Sequence, residues 1–117
     1  MNFSLSGSAQ RDIDSAEAFY ARERRGPQNR KLAARFIEEV KRALMLLQAY
    51  PELGQQFGKQ HRRFPLHGFP FFVNYRIDDA KALIRVVAIS HQSRQPGYWV
   101  NRIEEPRTIY AILRRAA

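Results

Sequence analysis

The sequence predicts an α+β fold, in which an N-terminal strand and a helical hairpin pack on one face of a mostly antiparallel sheet. Apolar residues recur at helical spacing through residues 9–49 and alternate with polar residues through residues 62–89. Turn-forming pairs such as Gly26-Pro27 separate these segments. Neither helix is apolar all round, so each is expected to cover a sheet rather than lie inside a helical bundle.

The first half of the chain is predicted to contain one short strand and two helices. The strand precedes Ser6 and Ser8, and either hydroxyl can cap the N-terminus of the first helix. The second helix should run from about residue 28 to residue 49. Its apolar stripe consists of Leu32, Phe36, Ile37, Val40, Leu44 and Leu47.

The second half is predicted to form three strands after a loop over residues 52–60. The strands cover residues 62–66, 69–77 and 82–89, because apolar and polar residues alternate there. In the second strand Phe69, Phe71, Val73, Tyr75 and Ile77 share one face. In the third, Ile84, Val86 and Ala88 share a face and Leu83, Arg85, Val87 and Ile89 take the other.

The length of 117 residues is typical of a single domain, here predicted to span residues 1–117. Its core should cover about residues 3–103, and a C-terminal extension over residues 104–117 should carry a short helical tail. The chain has no cysteine, no apolar signal-peptide core and no apolar run of about 20 residues. We therefore expect a cytoplasmic protein without a membrane segment.

Positive charge is unevenly distributed along the chain. The net charge is +9, and residues 53–102 carry eight basic and two acidic side chains, whereas residues 1–52 carry nine and seven. The surplus therefore lies on the predicted sheet, where it indicates an acidic partner such as nucleic acid or an acidic protein. The expected target-binding face consists of Arg62, Arg63, Arg76, Arg85 and Arg94. Arg76 and Arg85 could instead pair with acidic side chains.

Several segments, taken in order, resemble the RelE/ParE superfamily of toxins from type II toxin–antitoxin systems. These segments are the short first strand, the SxxAxxDI helix, YPELG, RRFPLHGFPFFVNYRID and HQSRQPGYW. The resemblance covers residues 3 to about 103. It implies a small basic toxin that forms a hetero-oligomer with a co-encoded antitoxin. It also implies one of two targets, since ParE-like members inhibit DNA gyrase and RelE-like members cut mRNA on the ribosome.

The ParE-like activity is favoured, and the RelE-like nuclease is the alternative. RNA cleavage without a metal needs a base, an acid and cations around the phosphate. No catalytic residue is firmly predicted, but the candidates for a nuclease are His91, Tyr98, Arg62, Arg85 and Arg94. RelE-like nucleases usually end soon after the catalytic tyrosine or histidine, whereas this chain continues for 18 residues after Trp99. The lysine clusters of the RelE type are also missing.

Each candidate has a structural interpretation beside the functional one. His91 could fix the end of a strand through its ring nitrogens, and Trp99 and Tyr98 could pack the C-terminal segment onto the sheet. No pair of histidines has metal-ligand spacing, so neither a metal nor a cofactor is predicted. Phe19 and Tyr20 are candidates for a groove that receives the antitoxin.

Overall fold

Two helices cover one face of a six-stranded sheet in the part of the chain that the structure describes. The structure, a computed structural model, describes residues 1–23, 27–102 and 106–107. The strands follow the order β2-β3-β4-β5-β1-β6, with β1 parallel to β5 and the other neighbours antiparallel. The predicted α+β architecture is confirmed. The elements are β1 (Asn2–Ser6), α1 (Gly7–Glu23), α2 (Pro27–Ala49), a 3-10 helix (Pro51–Leu53), β2 (Gln55–Phe57), β3 (His61–Pro65), β4 (Phe71–Asp78), β5 (Leu83–His91) and β6 (Pro106–Arg107).

A serine joins the first strand to the first helix. The Ser6 hydroxyl oxygen accepts a hydrogen bond of 3.0 Å from the Ala9 N–H, which would otherwise have no partner at the helix start. The same hydroxyl donates to the Val87 carbonyl at 3.3 Å. Of the two serines predicted as caps, Ser6 therefore takes the role and also ties α1 to β5.

The main core lies between the helices and the sheet. Phe36 of α2 is fully buried, and its ring centroid lies 5.4–5.5 Å from those of Tyr20, Phe69 and Phe71. Such edge-to-face and tilted pairs stabilise a core beyond the burial of their area. The core also contains Leu5, Ile13, Ile37, Val40, Leu44, Leu47, Val73, Tyr75, Ile84, Val86 and Ile89.

The YPELG motif seats the 3-10 helix on the sheet. The Tyr75 hydroxyl donates to the Pro51 carbonyl at 2.6 Å and accepts from the Gly54 N–H at 2.9 Å. A Cβ at Gly54 would lie 2.5 Å from the Tyr75 oxygen, so only glycine fits. Burial raises the pKa of Tyr75, although the hydrogen bond from Gly54 partly opposes this effect.

A β-bulge corrects the predicted faces of β5. Asn74 pairs with Ala88 and Tyr75 pairs with Val86, so Val87 is one extra residue in the strand. Beyond it the alternation shifts by one residue. Ile89 therefore joins the helix-side core, and Ala88 lies on the opposite face, the reverse of the predicted assignment.

Two further predictions differ from the structure near the sheet edges. The predicted loop over residues 52–60 contains the 3-10 helix and β2, whose residue Phe57 pairs with His61. Most of the predicted helical tail, residues 106–117, lies outside the described residues. Its described part, Pro106–Arg107, is a strand paired with β1 rather than a helix. Within the described ranges, no helix is long and apolar enough to cross a membrane.

Candidate functional site

The chain after β5 folds back over the sheet face that the helices leave uncovered, which we call the open face. This C-terminal segment (residues 92–102) consists of successive turns closed by backbone hydrogen bonds of 3.0–3.3 Å. Gly97 has a φ of +82°, and a Cβ there would lie 3.2 Å from the Phe57 ring. A glycine is therefore required for the backbone conformation, and its small size brings the segment close to β2.

Trp99 attaches the C-terminal segment to the open face. Its side chain is 2 % exposed and packs on Val87 and Ala88 in a small second core. The Phe57 ring lies 5.7 Å from it, and the His61 ring meets it edge-on at 4.8 Å. The prediction that Trp99 packs the segment onto the sheet is confirmed. The open face is thus covered at its centre.

An ion pair between Asp12 and Arg102 holds the same segment at the edge of β5. Arg102 Nη1 lies 2.8 Å from Asp12 Oδ2, and that oxygen also accepts the Ile89 N–H at 3.0 Å. Arg102 donates further to the Val87 carbonyl at 3.4 Å. Burial is the largest single influence and lowers the pKa of Arg102, but the hydrogen bond and the charge of Asp12, together with Tyr98, outweigh it, so that the pKa is raised. Sequence reasoning missed this pair, because 90 positions separate its members.

The five predicted cationic residues do not form one surface. Arg62 lies opposite the core residue Tyr75, on the helix side of the sheet, and donates to the carbonyls of Glu52 and Gly54 at 3.2 and 2.9 Å. It therefore supports the 3-10 helix. The other four lie on the open face or on the segment above it, and Trp99 packs on the strand positions that separate them.

Arg76 and Arg85 form one cationic group near the β4–β5 hairpin. They are direct cross-strand neighbours, and Arg85 Nε lies 3.1 Å from Asp78 Oδ2. That hydrogen bond, above all, lowers the pKa of Asp78. The structure thus pairs Arg85 with an acidic side chain, Asp78, as the alternative interpretation of the sequence allowed.

Arg63 and Arg94 form a second cationic group near the end of β5. The Arg63 guanidinium lies 4.8 Å from the Phe72 ring centroid and 5.3 Å from that of Phe57. The Arg94 guanidinium lies 3.9 Å from the Tyr98 ring centroid. Stacking of this kind fixes the plane of a guanidinium while its N–H groups remain available.

His91 and Tyr98 lie close to Arg94 but are held by structural contacts. His91 Nδ1 accepts the Ser93 N–H at 3.0 Å, and its ring meets Phe71 edge-on at 5.0 Å. The predicted role of His91 in fixing a strand end agrees with these contacts. Since Nδ1 accepts a backbone hydrogen, the proton of the neutral ring lies on Nε2.

A groove runs between α1 and the end of β5. Its volume is about 440 Å³, and Phe19 and Tyr20 lie on its α1 side. Phe19 is 48 % exposed, whereas Tyr20 packs partly against the core. Ile89, His91, Arg94 and Tyr98 lie on the other side. The two residues predicted for antitoxin binding thus share one groove with three of the five candidate catalytic residues, His91, Arg94 and Tyr98. Among the described residues, no group of three potential metal ligands occurs.

Comparison with known proteins identifies the family. Residues 3–96 match the model of the ParE toxin of type II toxin–antitoxin system, parDE. A solved structure described as the chromosomal ParDE TA system from P. aeruginosa matches with a TM-score of 0.64 at 18 % identity. The match covers 78 % of this chain and 95 % of that chain. No curated protein matches the chain. Since the family model spans most of the chain, this protein belongs to the ParE toxin family of type II toxin–antitoxin systems.

Proposed function

We propose that this ParE-family protein is a toxin that inhibits DNA gyrase in the cytoplasm, and that a co-encoded antitoxin neutralises it. The observation that carries this proposal is the separation of the candidate catalytic groups. A nuclease needs its base, acid and phosphate-binding cations around one scissile bond. A gyrase inhibitor needs a surface that fits its target, but it does not need these groups to lie together around one bond.

The distances along the sheet support the non-enzymatic activity over RNA cleavage. Arg62 lies on the helix side and binds backbone carbonyls. Arg85 pairs with Asp78 at the hairpin. Arg85 and His91 are six positions apart in β5, and because Val87 is an extra residue this corresponds to about 17 Å along the strand. Two of the three candidate arginines therefore lie away from His91 and Tyr98.

The antitoxin is proposed to occupy the groove between α1 and the end of β5. The exposed Phe19 ring and the partly buried Tyr20 offer apolar contacts, and Arg94 offers a charge at the far side. A segment with an apolar stripe and acidic side chains would complement both this groove and the net charge of +9. Toxin and antitoxin would then form a hetero-oligomer.

The test compares two activities of the purified toxin. We expect it to block supercoiling by purified gyrase and to leave cell-free translation and its mRNA intact. The double variant His91→Ala/Tyr98→Phe keeps the ring under Arg94 and removes both proton-transfer groups. It should inhibit gyrase as strongly as the unaltered protein. If the unaltered protein cuts the mRNA and the double variant does not, the result would contradict the proposal and establish the nuclease activity.

The groove is tested by antitoxin binding. Phe19→Ser removes the exposed ring and should weaken the complex without altering gyrase inhibition. Met45→Ser is a matched control, since Met45 of α2 is an equally apolar residue and 63 % exposed. Equal weakening by both variants would show that the antitoxin binds elsewhere. Neutralisation in cells gives a second readout of the same binding.

A further inference from the structure

A small, partly open pocket on the open face contains two arginines, and none of its described lining residues is acidic. It lies where β3, the end of β5 and the C-terminal segment meet, and its volume is about 30 Å³. Its wall includes Arg63, Asn74, Ser90, His91, Arg94 and Trp99. We propose that this pocket binds one phosphate group.

The two guanidinium groups are held in place before any ligand arrives. Arg63 lies over Phe72 and Arg94 lies over Tyr98, at 4.8 and 3.9 Å from the ring centroids. Neither is paired with a carboxylate among the described residues, whereas Arg85 and Arg102 each are. Stacked arginines lose little side-chain freedom on binding, and their forked N–H groups suit phosphate oxygens.

Two polar side chains at the bottom of the pocket add a directed donor. The Asn74 amide, 1 % exposed, donates to the Ser90 hydroxyl oxygen at 2.8 Å and to the Ala88 carbonyl at 3.3 Å. Because the Ser90 oxygen accepts from Asn74, its own hydrogen must point to another acceptor. The described residues provide none, so this hydrogen is available to a ligand oxygen.

The chemistry of the pocket favours phosphate over other ligands. Donors come from β3, from β5 and from the C-terminal segment, three directions that fit the tetrahedral oxygens of phosphate better than a planar carboxylate. A volume of about 30 Å³ has room for one or two such oxygens but not for a base or a sugar. The phosphate site is inferred from this geometry alone. The further step, that it binds a backbone phosphate of DNA held by gyrase, rests on the proposed function.

The test uses Trp99, the only tryptophan of the chain, as an internal probe. We titrate the full chain with sodium phosphate against sodium chloride of equal ionic strength and follow tryptophan fluorescence. A saturable change is expected. Arg63→Gln and Arg94→Gln should each weaken phosphate binding about tenfold, since each removes a charge-assisted pair of hydrogen bonds.

The control variant is Arg35→Gln, which removes the same charge from an exposed position on α2. It should bind phosphate like the unaltered protein. Arg63→Lys keeps the charge but loses the fork, so its affinity should fall between those of the unaltered protein and Arg63→Gln. Circular dichroism of every variant checks folding. If Arg63→Gln unfolds, the weaker phosphate binding of Arg94→Gln is by itself a sufficient test of the site. No saturable change, or equal weakening in Arg35→Gln, would overturn the proposal.

Competition distinguishes the sources of the phosphate group. A short DNA duplex that displaces phosphate, and binds more weakly to Arg94→Gln than to Arg35→Gln, identifies the DNA backbone. If the duplex does not displace phosphate, but phosphate binding is still weaker in Arg94→Gln than in Arg35→Gln, the ligand of the pocket is free phosphate or a nucleotide. Tighter binding of acetate or of an acidic peptide than of phosphate would overturn the site. Phosphate binding without gyrase inhibition would contradict only the proposed function.

Discussion

The helix-covered face of the sheet is closed by aliphatic and aromatic side chains of α1 and α2, whereas the open face is closed at its centre by Trp99. The first arrangement buries a continuous core around Phe36. The second buries Val87 and Ala88 and leaves four arginines around or above them. Apolar periodicity in the sequence specifies one face of the sheet. On the other face, contacts with aromatic rings and with the Asp78 carboxylate hold arginine side chains in place.

This contrast indicates how the protein separates stability from binding. Most side chains that fill the helix-covered face are buried, so changes there alter the fold as a whole. On the open face, the guanidinium groups of Arg63 and Arg94 lie over aromatic rings, and stacking of this kind leaves their N–H groups available to a ligand. Changes to these arginines should alter binding while the fold survives. Four variants elsewhere compare how much different contacts of the protein contribute to stability.

The largest effect is expected from Phe36→Ala on the helix-covered face. Phe36 is fully buried and contacts three aromatic rings, so its truncation leaves a cavity in the main core. The free energy of unfolding should fall by about 4 kcal/mol. Urea denaturation measures it. A fall of less than about 1 kcal/mol would mean that the core repacks and that the two faces differ less than proposed.

Trp99→Ala should produce a somewhat smaller and more local effect. Among the described residues, the second core contains two other buried residues, Val87 and Ala88, so we expect a loss of about 3 kcal/mol, at the low end for tryptophan. Hydrogen exchange should rise in the C-terminal segment and at the end of β5, while α2 stays protected. Uniform loss of protection through α2 would show that both faces unfold as one unit.

Asp12→Asn weakens the polar attachment of the C-terminal segment. The side chains of Asp12 and Arg102 are 18 % and 25 % exposed, so the pair is only partly screened. A loss of about 1 kcal/mol is expected, and it should shrink in high salt. Asp79→Asn serves as the control because Asp79 is exposed on the β4–β5 hairpin. Equal losses in both variants would exclude a specific attachment.

Glu39→Gln should have the smallest effect, confined to a pH window. Arg42 donates to the Glu39 carboxylate at 2.7 and 2.9 Å, and the His67 N–H donates at 2.7 Å. The bonds from Arg42, above all, lower the pKa of Glu39; burial opposes them and the His67 bond supports them. This stabilisation is complete above the ordinary pKa of 4.5 and disappears as the pH falls through the lowered pKa.

The measurement compares unfolding of Glu39→Gln with the unaltered chain across that window. The difference should be about 0.5 kcal/mol near neutral pH and should vanish in acid. Glu38→Gln, on the exposed side of α2, is the matched control and should differ less. A difference that grows in acid would have the wrong sign for a lowered pKa.

Periodicity in the sequence predicted most of the helix-covered face. The stripe through Phe36, Val40 and Leu44 is buried as expected, because helical spacing places these residues on one side. The faces of β5 were predicted correctly as far as Val87 and are reversed at Ala88 and Ile89. Nothing in the alternation of apolar residues marks Val87 as an extra residue, since both it and its neighbours are apolar.

For the open face, the sequence predicted that arginines lie on the strands but did not predict what each arginine contacts. The sequence places arginines on the strands, yet whether each meets a ring, a carboxylate or a carbonyl depends on contacts between distant segments. Asp12 and Arg102 meet across 90 positions, and Arg62 turns to the helix side. The covering of the open face by Trp99 depends on Gly97, whose role becomes visible only beside Phe57.

The extra residue in β5 has a consequence for how the family can vary in length. The Val87 carbonyl accepts both the Ser6 hydroxyl and the Arg102 guanidinium. In a relative that lacks Val87, removal of the bulge would restore simple alternation along β5. The remaining side chains of the strand would therefore stay on the same faces. Such a relative would nevertheless lose the acceptor that joins the start of α1 to the C-terminal segment. Deletions in this strand should therefore accompany shorter or differently anchored C-terminal segments.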